Sequence, residues 1–314
     1  MKRGDIVRTL KGFPPVVWML ILIICIFSFT GTNFYSVNNL LNIVRQASPY
    51  LILAMGETLA ILVGGIDLSV GYVMGFCGVA VAMLMNMGLP FYVAILIALV
   101  IGAFCGFING LFVGKFKLPY FIVTYGTGNM VYGLGSIITG GVSQPALDRG
   151  FRFIADGTLL GIPVVFFLAL IVFLLMKLLI KKTPFGRNLY GLGGNRESLF
   201  LSGVNVVKAE IMVFTVTGLL AAIAGVIFAA RSASGHPGFG IGWEFDAVAA
   251  TIIGGNSFSE GKGSINKTVL GVIFIQILRI GLNISGVAPQ AQSFLIGFIV
   301  VIAISIDVLI QRRK

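Results

Sequence analysis

Residues 181–208 read KKTPFGRNLYGLGGNRESLFLSGVNVVK, the one long polar break near the middle of an otherwise apolar chain. Six apolar spans precede it and four follow. It carries Lys181, Lys182, Arg187, Arg196 and Lys208 against Glu197 alone, and such an excess of positive residues places a loop between spans on the cytoplasmic side of a membrane. Within it, Asn195 is a helix N-cap residue, Glu197 sits in the first turn where the helix dipole favours a carboxylate, and Gly203 supplies a left-handed stop. The short helix so defined shows Leu199, Phe200 and Leu201 to the water side. Three bulky apolar side chains there need burial, against the protein's own helix ends or against a partner.

The rest of the composition agrees with a membrane setting. The 314 residues are 57% hydrophobic and 11% charged, with a mean hydropathy of +1.02, which no water-soluble core of this size needs. The fold class expected is all-α, a polytopic membrane protein. A net charge of +11 suggests nucleic acid in a soluble protein, but here the positive residues lie between apolar spans and face anionic lipid, so no nucleic-acid partner is expected. Cys25, Cys77 and Cys105 are odd in number and each lies within an apolar run, which argues against a disulfide framework. His236 is the only histidine, which leaves little material for a metal site or a Cys/His nucleophile pair. The basic start, KRGDIVRTLK, leads into a long apolar run with no small-residue cleavage site, and predicts an uncleaved first helix.

A transmembrane helix needs about 20 mostly apolar residues. Such spans are predicted near 13–30, 48–64, 70–88, 91–113, 118–139 and 162–180, then 210–230, a shorter 245–255, 267–284 and 291–310. About ten spans put both termini in the cytoplasm and make one permease-like domain, 1–314, with halves 1–180 and 210–314 joined by the loop at 181–209. On that scheme 17 Lys and Arg fall inside and only Arg45, Arg149, Arg152 and Arg231 outside, as the positive-inside rule requires. Trp18 and Trp243, near span ends, read as interface anchors. Gly102, Gly106 and Gly110 read as a close helix contact.

Two turns resemble each other. Gly64–Gly71 is GGIDLSVG and Gly254–Gly261 is GGNSFSEG; both follow G-G-x-x-[LF]-S-x-G at an offset of 190, with Gly64, Gly65, Asp67, Ser69 and Gly71 answered by Gly254, Gly255, Ser259 and Gly261. Spans one to four and seven to ten then share an orientation, a parallel internal repeat of the kind found in transporters.

Catalytic chemistry has little support. The stretch GNSFSEGKGS at 255–264 nearly spells a phosphate-binding loop, but Asn256 stands where the first glycine belongs and Gly263 where Ser or Thr belongs. No paired carboxylates, HExxH or GxSxG stand in a fitting context. Ionisable groups embedded in the spans are few: Glu57, Asp67, Asp246 and Arg279. They form no series of the kind that lines a proton-coupled carrier. A secondary carrier is therefore the runner-up, and a membrane enzyme comes third.

GGIDLSVG at 64–71, FGRNLYGLGGN at 185–195, LSGVNV at 201–206 and IIGGNSFSEGKGSI at 252–265 together resemble the permease subunits of bacterial ATP-binding-cassette importers. That family includes the ribose, xylose, arabinose and galactose permeases, and the likeness covers nearly the whole chain. The chain departs from the family pattern at Glu57, at Glu260 and at Arg196 to Phe200, which replaces a more alanine-rich helix start. The resemblance implies the architecture of the cobalamin-type importers, in the bacterial cytoplasmic (inner) membrane. It implies a second permease, a copy or a homologue, and a periplasmic or lipid-anchored sugar-binding protein. Cytoplasmic ATP-binding subunits would hold ATP and Mg, so this chain needs no cofactor or metal of its own. It also implies that Phe185, Gly186, Arg187, Gly193, Gly194, Asn195, Leu199, Phe200 and Gly203 couple to the ATPase. The ligand it leaves open between a ribose-like monosaccharide and a nucleoside.

Two expectations concern the path. Phe121, Tyr125 and Tyr132 lie at one- to two-turn spacing among Gly126, Gly128 and Gly133; such rings suit the C–H faces of a sugar, and equally suit helix packing. Glu57 and Arg279 stand deepest in the spans, about 8 Å apart in depth at 1.5 Å per residue. Either they pair, or Glu57 faces the path while Arg279 reaches lipid or backbone carbonyls.

Overall fold

The computed structural model describes residues 14–30, 34–257 and 261–312. Helices α1 (Pro15–Thr30), α2 (Val37–Leu62), α3 (Val70–Asn86), α4 (Phe91–Gly114), α5 (Tyr120–Thr139), α6 (Arg149–Asp156) and α7 (Val164–Lys182) lead to the polar break. The break itself holds α8 (Pro184–Gly194) and α9 (Arg196–Leu201). Then come α10 (Val206–Ser232), α11 (Trp243–Ile253), α12 (Ile265–Ile284) and α13 (Pro289–Arg312). Two small antiparallel pairs complete it: β1 (Gln144–Pro145) with β4 (Ser234–Gly235), and β2 (Thr158–Leu159) with β3 (Ile162–Pro163).

Every expected apolar span contains a helix, with boundaries moved where capping decides. α2 begins at Val37, eleven residues before the expected start, because Ser36 caps it by accepting from the Asn39 amide at 3.2 Å. Its first turns carry Asn38, Asn39, Asn42, Arg45 and Gln46, too polar for a hydropathy window. α10 starts at Val206 rather than 210 for the same reason: Asn205 Oδ1 accepts from the Lys208 amide at 2.9 Å. α6 was not expected; Asp148 caps it at the Phe151 amide, 2.8 Å away.

Among the described residues, four helices are long and apolar enough to cross a membrane: Phe91–Gly114, Val164–Lys182, Val206–Ser232 and Ile265–Ile284. They divide into two kinds. The most apolar stretches of α4 and α7 are 28% and 22% buried, those of α10 and α12 61%, so the first two offer apolar surface to lipid while the last two form the interior.

α10 runs through the centre, and it gets there by backbone contact. A Cβ on Gly106 would sit 2.0 Å from the Phe214 carbonyl oxygen, and one on Gly218 2.2 Å from that of Gly102. The Gly102, Gly106 and Gly110 row is thus the α4 face of that contact, and small residues are what let the helix axes close to this distance. Beyond α10 the chain doubles back along α3: added Cβ atoms on Gly71 and Gly75 would meet the carbonyl oxygens of Gly240 and Phe239, each at 2.3 Å. α11, of 11 residues, starts from the end of that run of turns.

Candidate functional site

The polar break folds as a two-helix element seated on both Gly-Gly turns. Pro184 opens α8 at a position where its missing N–H costs nothing. The reversal out of α7 needs glycine, since a Cβ on Gly186 would lie 1.7 Å from the Ile180 carbonyl oxygen. At the far end a Cβ on Gly193 would lie 1.8 Å from the Leu62 carbonyl oxygen and 2.9 Å from Gly261 Cα. One glycine therefore touches the end of α2 and the end of the second turn. Between them Tyr190 donates its hydroxyl to the Gly263 carbonyl at 3.0 Å, and burial raises that hydroxyl's pKa above the ordinary value.

α9 follows with the caps expected of it. Asn195 Oδ1 accepts from the Ser198 amide at 2.8 Å; Gly203 has φ +83° and donates to the Phe200 carbonyl at 2.9 Å. The three apolar residues separate. Leu199 packs over Gly191 of α8, whereas Phe200 is 66% and Leu201 77% exposed. Phe185 is buried, and Arg187 and Gly194 are exposed.

A second link was not anticipated. Arg196 holds Glu210 of α10 through two bonds, 2.6 and 2.8 Å, the bidentate geometry that gives such pairs direction as well as strength. Glu210 is fully buried and also accepts from the Tyr120 hydroxyl at 3.1 Å. The Tyr120 ring in turn roofs Gly65. The loop is thus tied through Arg196, Glu210 and Tyr120 to the first Gly-Gly turn. The signal available in the sequence was a lone carboxylate early in an apolar span, the same sign that singled out Glu57.

The two turns close the same way but one residue out of step. Gly64 has φ +82°, with the Gly64 and Gly65 amides donating to Ile61 and Ala60 at 3.0 and 2.9 Å. In the second turn the left-handed residue is Gly255, φ +99°, and the corresponding donors are Gly255 and Asn256, to Ile252 and Thr251 at 2.8 and 3.2 Å. The geometric counterpart of Gly64 is therefore Gly255, not Gly254 as the 190 offset has it. Ser259 lies outside the described residues.

Different polar groups then anchor them. Asp67 Oδ1 accepts from the Ser69 amide and hydroxyl at 2.9 and 2.5 Å; Asn109 of α4 donates to Ser69 Oγ at 2.8 Å, and Thr127 of α5 to Asn109 Oδ1 at 2.6 Å. In the second turn Asn256 donates to the Thr251 carbonyl at 2.9 Å and to Thr268 Oγ1 at 3.0 Å, and accepts from the Ser264 amide at 2.6 Å. Thr268 meets Thr58 of α2 at 2.6 Å.

Glu57 and Arg279 do not pair. Arg279 donates to Asp246 Oδ2 at 2.5 Å, and the Tyr50 hydroxyl donates to the same oxygen at 3.3 Å. Asp246, on neighbouring α11, stands at the depth of the guanidinium and spares it the reach toward Glu57. Glu57 is fully buried; its Oε1 accepts from the Asp67 amide at 3.2 Å and its Oε2 has no protein partner. Phe121 and Tyr125 lie on an outward face of α5, 58% and 53% exposed, and Tyr132 meets Tyr72 edge-on at 6.3 Å. The structure does not bring these rings together with Glu57 or Arg279.

The capped loop grips the ends of the interior helices, and the bundle leaves apolar side chains on its outside, as a membrane protein does. Residues 39–304 match the family described as branched-chain amino acid transport system / permease component, and the chain belongs to that family of multi-pass inner-membrane proteins. Among its relatives, the ribose import permease protein of Haemophilus influenzae is 38% identical over 94% of this chain and 93% of its own length. That of Bacillus subtilis is 37% identical over 98% and 95%, and the D-allose transport system permease protein of Escherichia coli 37% over 94% and 91%. No solved structure matches the chain.

Proposed function

We propose that the chain is the permease subunit of an ATP-driven importer for a ribose-like monosaccharide. The observation that carries this is the likeness to ribose import permeases at 37–38% identity over more than nine tenths of the chain. It favours sugar over the amino acids of the family description, and over a nucleoside.

In this reading about ten helices cross the membrane in the manner of the cobalamin-type importers. Both termini lie in the cytoplasm with the 181–209 loop, and the halves 1–180 and 210–314 move against each other. ATP and Mg belong to separate ATPase subunits, since the stretch at 255–264 departs from a phosphate-binding loop at Asn256 and Gly263. A sugar-binding protein delivers the solute from the far side. The exposed face of α5, with Phe121 and Tyr125 and the half-buried Tyr132 beside them, faces a second permease and the path between the two. Glu57 is fully buried behind that face, and Arg279 is held by Asp246 rather than by Glu57.

The α8–α9 element is the ATPase seat. Phe185, Gly186 and Gly193 hold it on the permease, Asn195 and Gly203 define α9, Leu199 fastens α9 to α8, and Phe200 enters the ATPase from a surface that also offers Arg187 and Gly194. Phe200→Asp places a charge in that interface while leaving the fold alone, because the side chain is exposed in the free chain. ATP-dependent ribose uptake is expected to fall at least tenfold and the ATPase to be lost on copurification, with an unchanged melting temperature. Normal uptake with the ATPase still bound would remove the coupling role. Loss of uptake on ATP depletion with the proton gradient held separates the importer from a secondary carrier.

A further inference from the structure

Where the polar break begins, α7, α8 and α10 enclose a cavity of about 320 Å³, within the size range of small-molecule sites. Its wall is mostly apolar, with Leu179, Phe185, Ala209 and Met212 as the main contributors. The Thr183 hydroxyl also lines it, but donates to the Leu179 carbonyl at 2.6 Å. Asn188 is the other polar group, and among the described residues its side-chain amide has no partner.

The apolar wall continues onto the lipid-facing side of the bundle. Met212 is exposed, and so are Leu175 and Leu178 on α7, the span whose apolar stretch is the least buried of the four. Two cations stand one helical turn from the lining: Lys182 comes three residues after Leu179, and Lys208 four before Met212. Such spacing puts each pair on one face of its helix. Both lysines are exposed, and among the described residues neither has an ion pair. Lys208 lies in the first turn of α10, where the helix dipole disfavours a cation, so it does not serve its own helix. Glu210, two residues on, is already held by Arg196.

An apolar chain suits the cavity and an anionic head suits the lysines, and one kind of molecule joins the two. We infer that the cavity holds an acyl chain of an anionic phospholipid, with its phosphate on Lys182 and Lys208 and Asn188 donating to a headgroup oxygen. A zwitterionic lipid would fill the same cavity, but its own ammonium would offset the attraction of the lysines. The inference goes beyond the importer reading and holds whatever the transported solute. Within that reading, the acyl chain packs on Phe185, which holds α8 in place, and so steadies the element that receives the ATPase.

The full chain in lipid nanodiscs tests this. Met212→Trp adds a reporter at the cavity to the two native tryptophans. The fluorescence it adds over the parent is expected to be quenched at least twofold more by phosphatidylglycerol with brominated chains than by phosphatidylcholine with the same chains. Leu178→Trp, one residue from the lining, repeats the measurement without entering the cavity. Lys182→Gln with Lys208→Gln is expected to abolish the preference. Lys115→Gln with Lys117→Gln, the same charge removed from another turn between spans, is expected to keep it, and melting curves check the fold of each variant. Equal quenching by the two lipids at both reporters overturns the site, as does a preference that survives the loss of Lys182 and Lys208. So does one that falls equally with Lys115 and Lys117. Phosphatidylglycerol is also expected to raise the melting temperature of the parent by several degrees, and inorganic phosphate in phosphatidylcholine discs not to. An equal rise with phosphate would assign the lysines to a free anion, and a preference lost when the copurifying ATPase binds would assign the cavity to that partner; either overturns the lipid.

Discussion

The two Gly-Gly turns share a sequence pattern and assign its two glycines opposite tasks. In the first turn Gly64 supplies the left-handed backbone and has open space around it, while Gly65 lies under the Tyr120 ring. In the second the order is exchanged: Gly254 is pressed against the Lys267 backbone, where a Cβ would come 2.3 Å from the carbonyl oxygen, and Gly255 supplies the left-handed backbone at φ +99°. A repeat in letters is thus not a repeat in geometry. Each helix terminates where its own neighbours allow, and a pair of adjacent glycines tolerates a one-residue shift that no other dipeptide would, since either member adopts positive φ freely.

The two turns meet at Gly193, and the largest expected effect is there. Gly193→Val drives side-chain atoms into the Leu62 carbonyl and the Gly261 backbone together, and neither backbone can yield without unseating a turn. Uptake is expected to fall below a tenth, with a melting temperature lower by several degrees. Gly194→Val next to it, exposed and with nothing within 4 Å of an added Cβ, is expected to leave the melting temperature unchanged. Equal effects at the two positions would mean that α8 is not fixed by this contact.

Next in size is the exchange of tasks itself. Gly254→Ala overpacks a backbone contact, which costs about 1–3 kcal/mol, whereas Gly64→Ala meets no atom and costs about 1 kcal/mol of backbone strain. The diagnostic variants are to asparagine, which tolerates positive φ. Gly64→Asn and Gly255→Asn are expected to be milder than the alanines, and Gly254→Asn harsher than Gly254→Ala. Melting in detergent ranks them, and a mild Gly254→Asn would restore the 190 register.

How much of this was legible depends on range. The caps of α9 at Asn195 and Gly203 involve groups within a few residues, and the sequence shows them directly. The α4 glycine row was visible as spacing, although not its partner α10. α8 was hidden because its four glycines read as a loop, and it is helical only where burial of Phe185, Leu189 and Leu192 outweighs their low propensity. For Arg279 the sequence left Glu57, lipid and backbone carbonyls open and did not offer Asp246, because depth along a span follows from counting, whereas the rotation of one helix against another does not. Asp246 was known as an embedded charge, and only packing brings it to the guanidinium. Glu210 was missed because it stands at the first position of the expected span, beside the polar loop, where a charge draws no notice.

The smallest expected effect concerns the roof that the first turn has and the second lacks. A Cβ on Gly65 would come 2.7 Å from the Tyr120 ring, but the obstacle is a side chain, which moves at less cost than a backbone. Tyr120 is not wholly free to move: its hydroxyl donates to Glu210 at 3.1 Å, and its ring stacks on Phe214 with centroids 5.8 Å apart. Gly65→Ala is therefore expected to cost about 1 kcal/mol, the value of one displaced hydrogen bond, and to act by loosening the Arg196–Glu210 clamp. Tyr120→Leu removes the ring and the bond together, so in that background Gly65→Ala has little left to disturb. A double-mutant cycle read by melting is expected to give a coupling of about 0.5–1 kcal/mol, the range for residues in contact. A matching cycle between Gly255→Ala and Tyr120→Leu is expected to give none. Coupling at both turns would mean that Tyr120 senses their common seat at Gly193 rather than Gly65 alone, and additivity at both would remove the ring from the link between loop and turn.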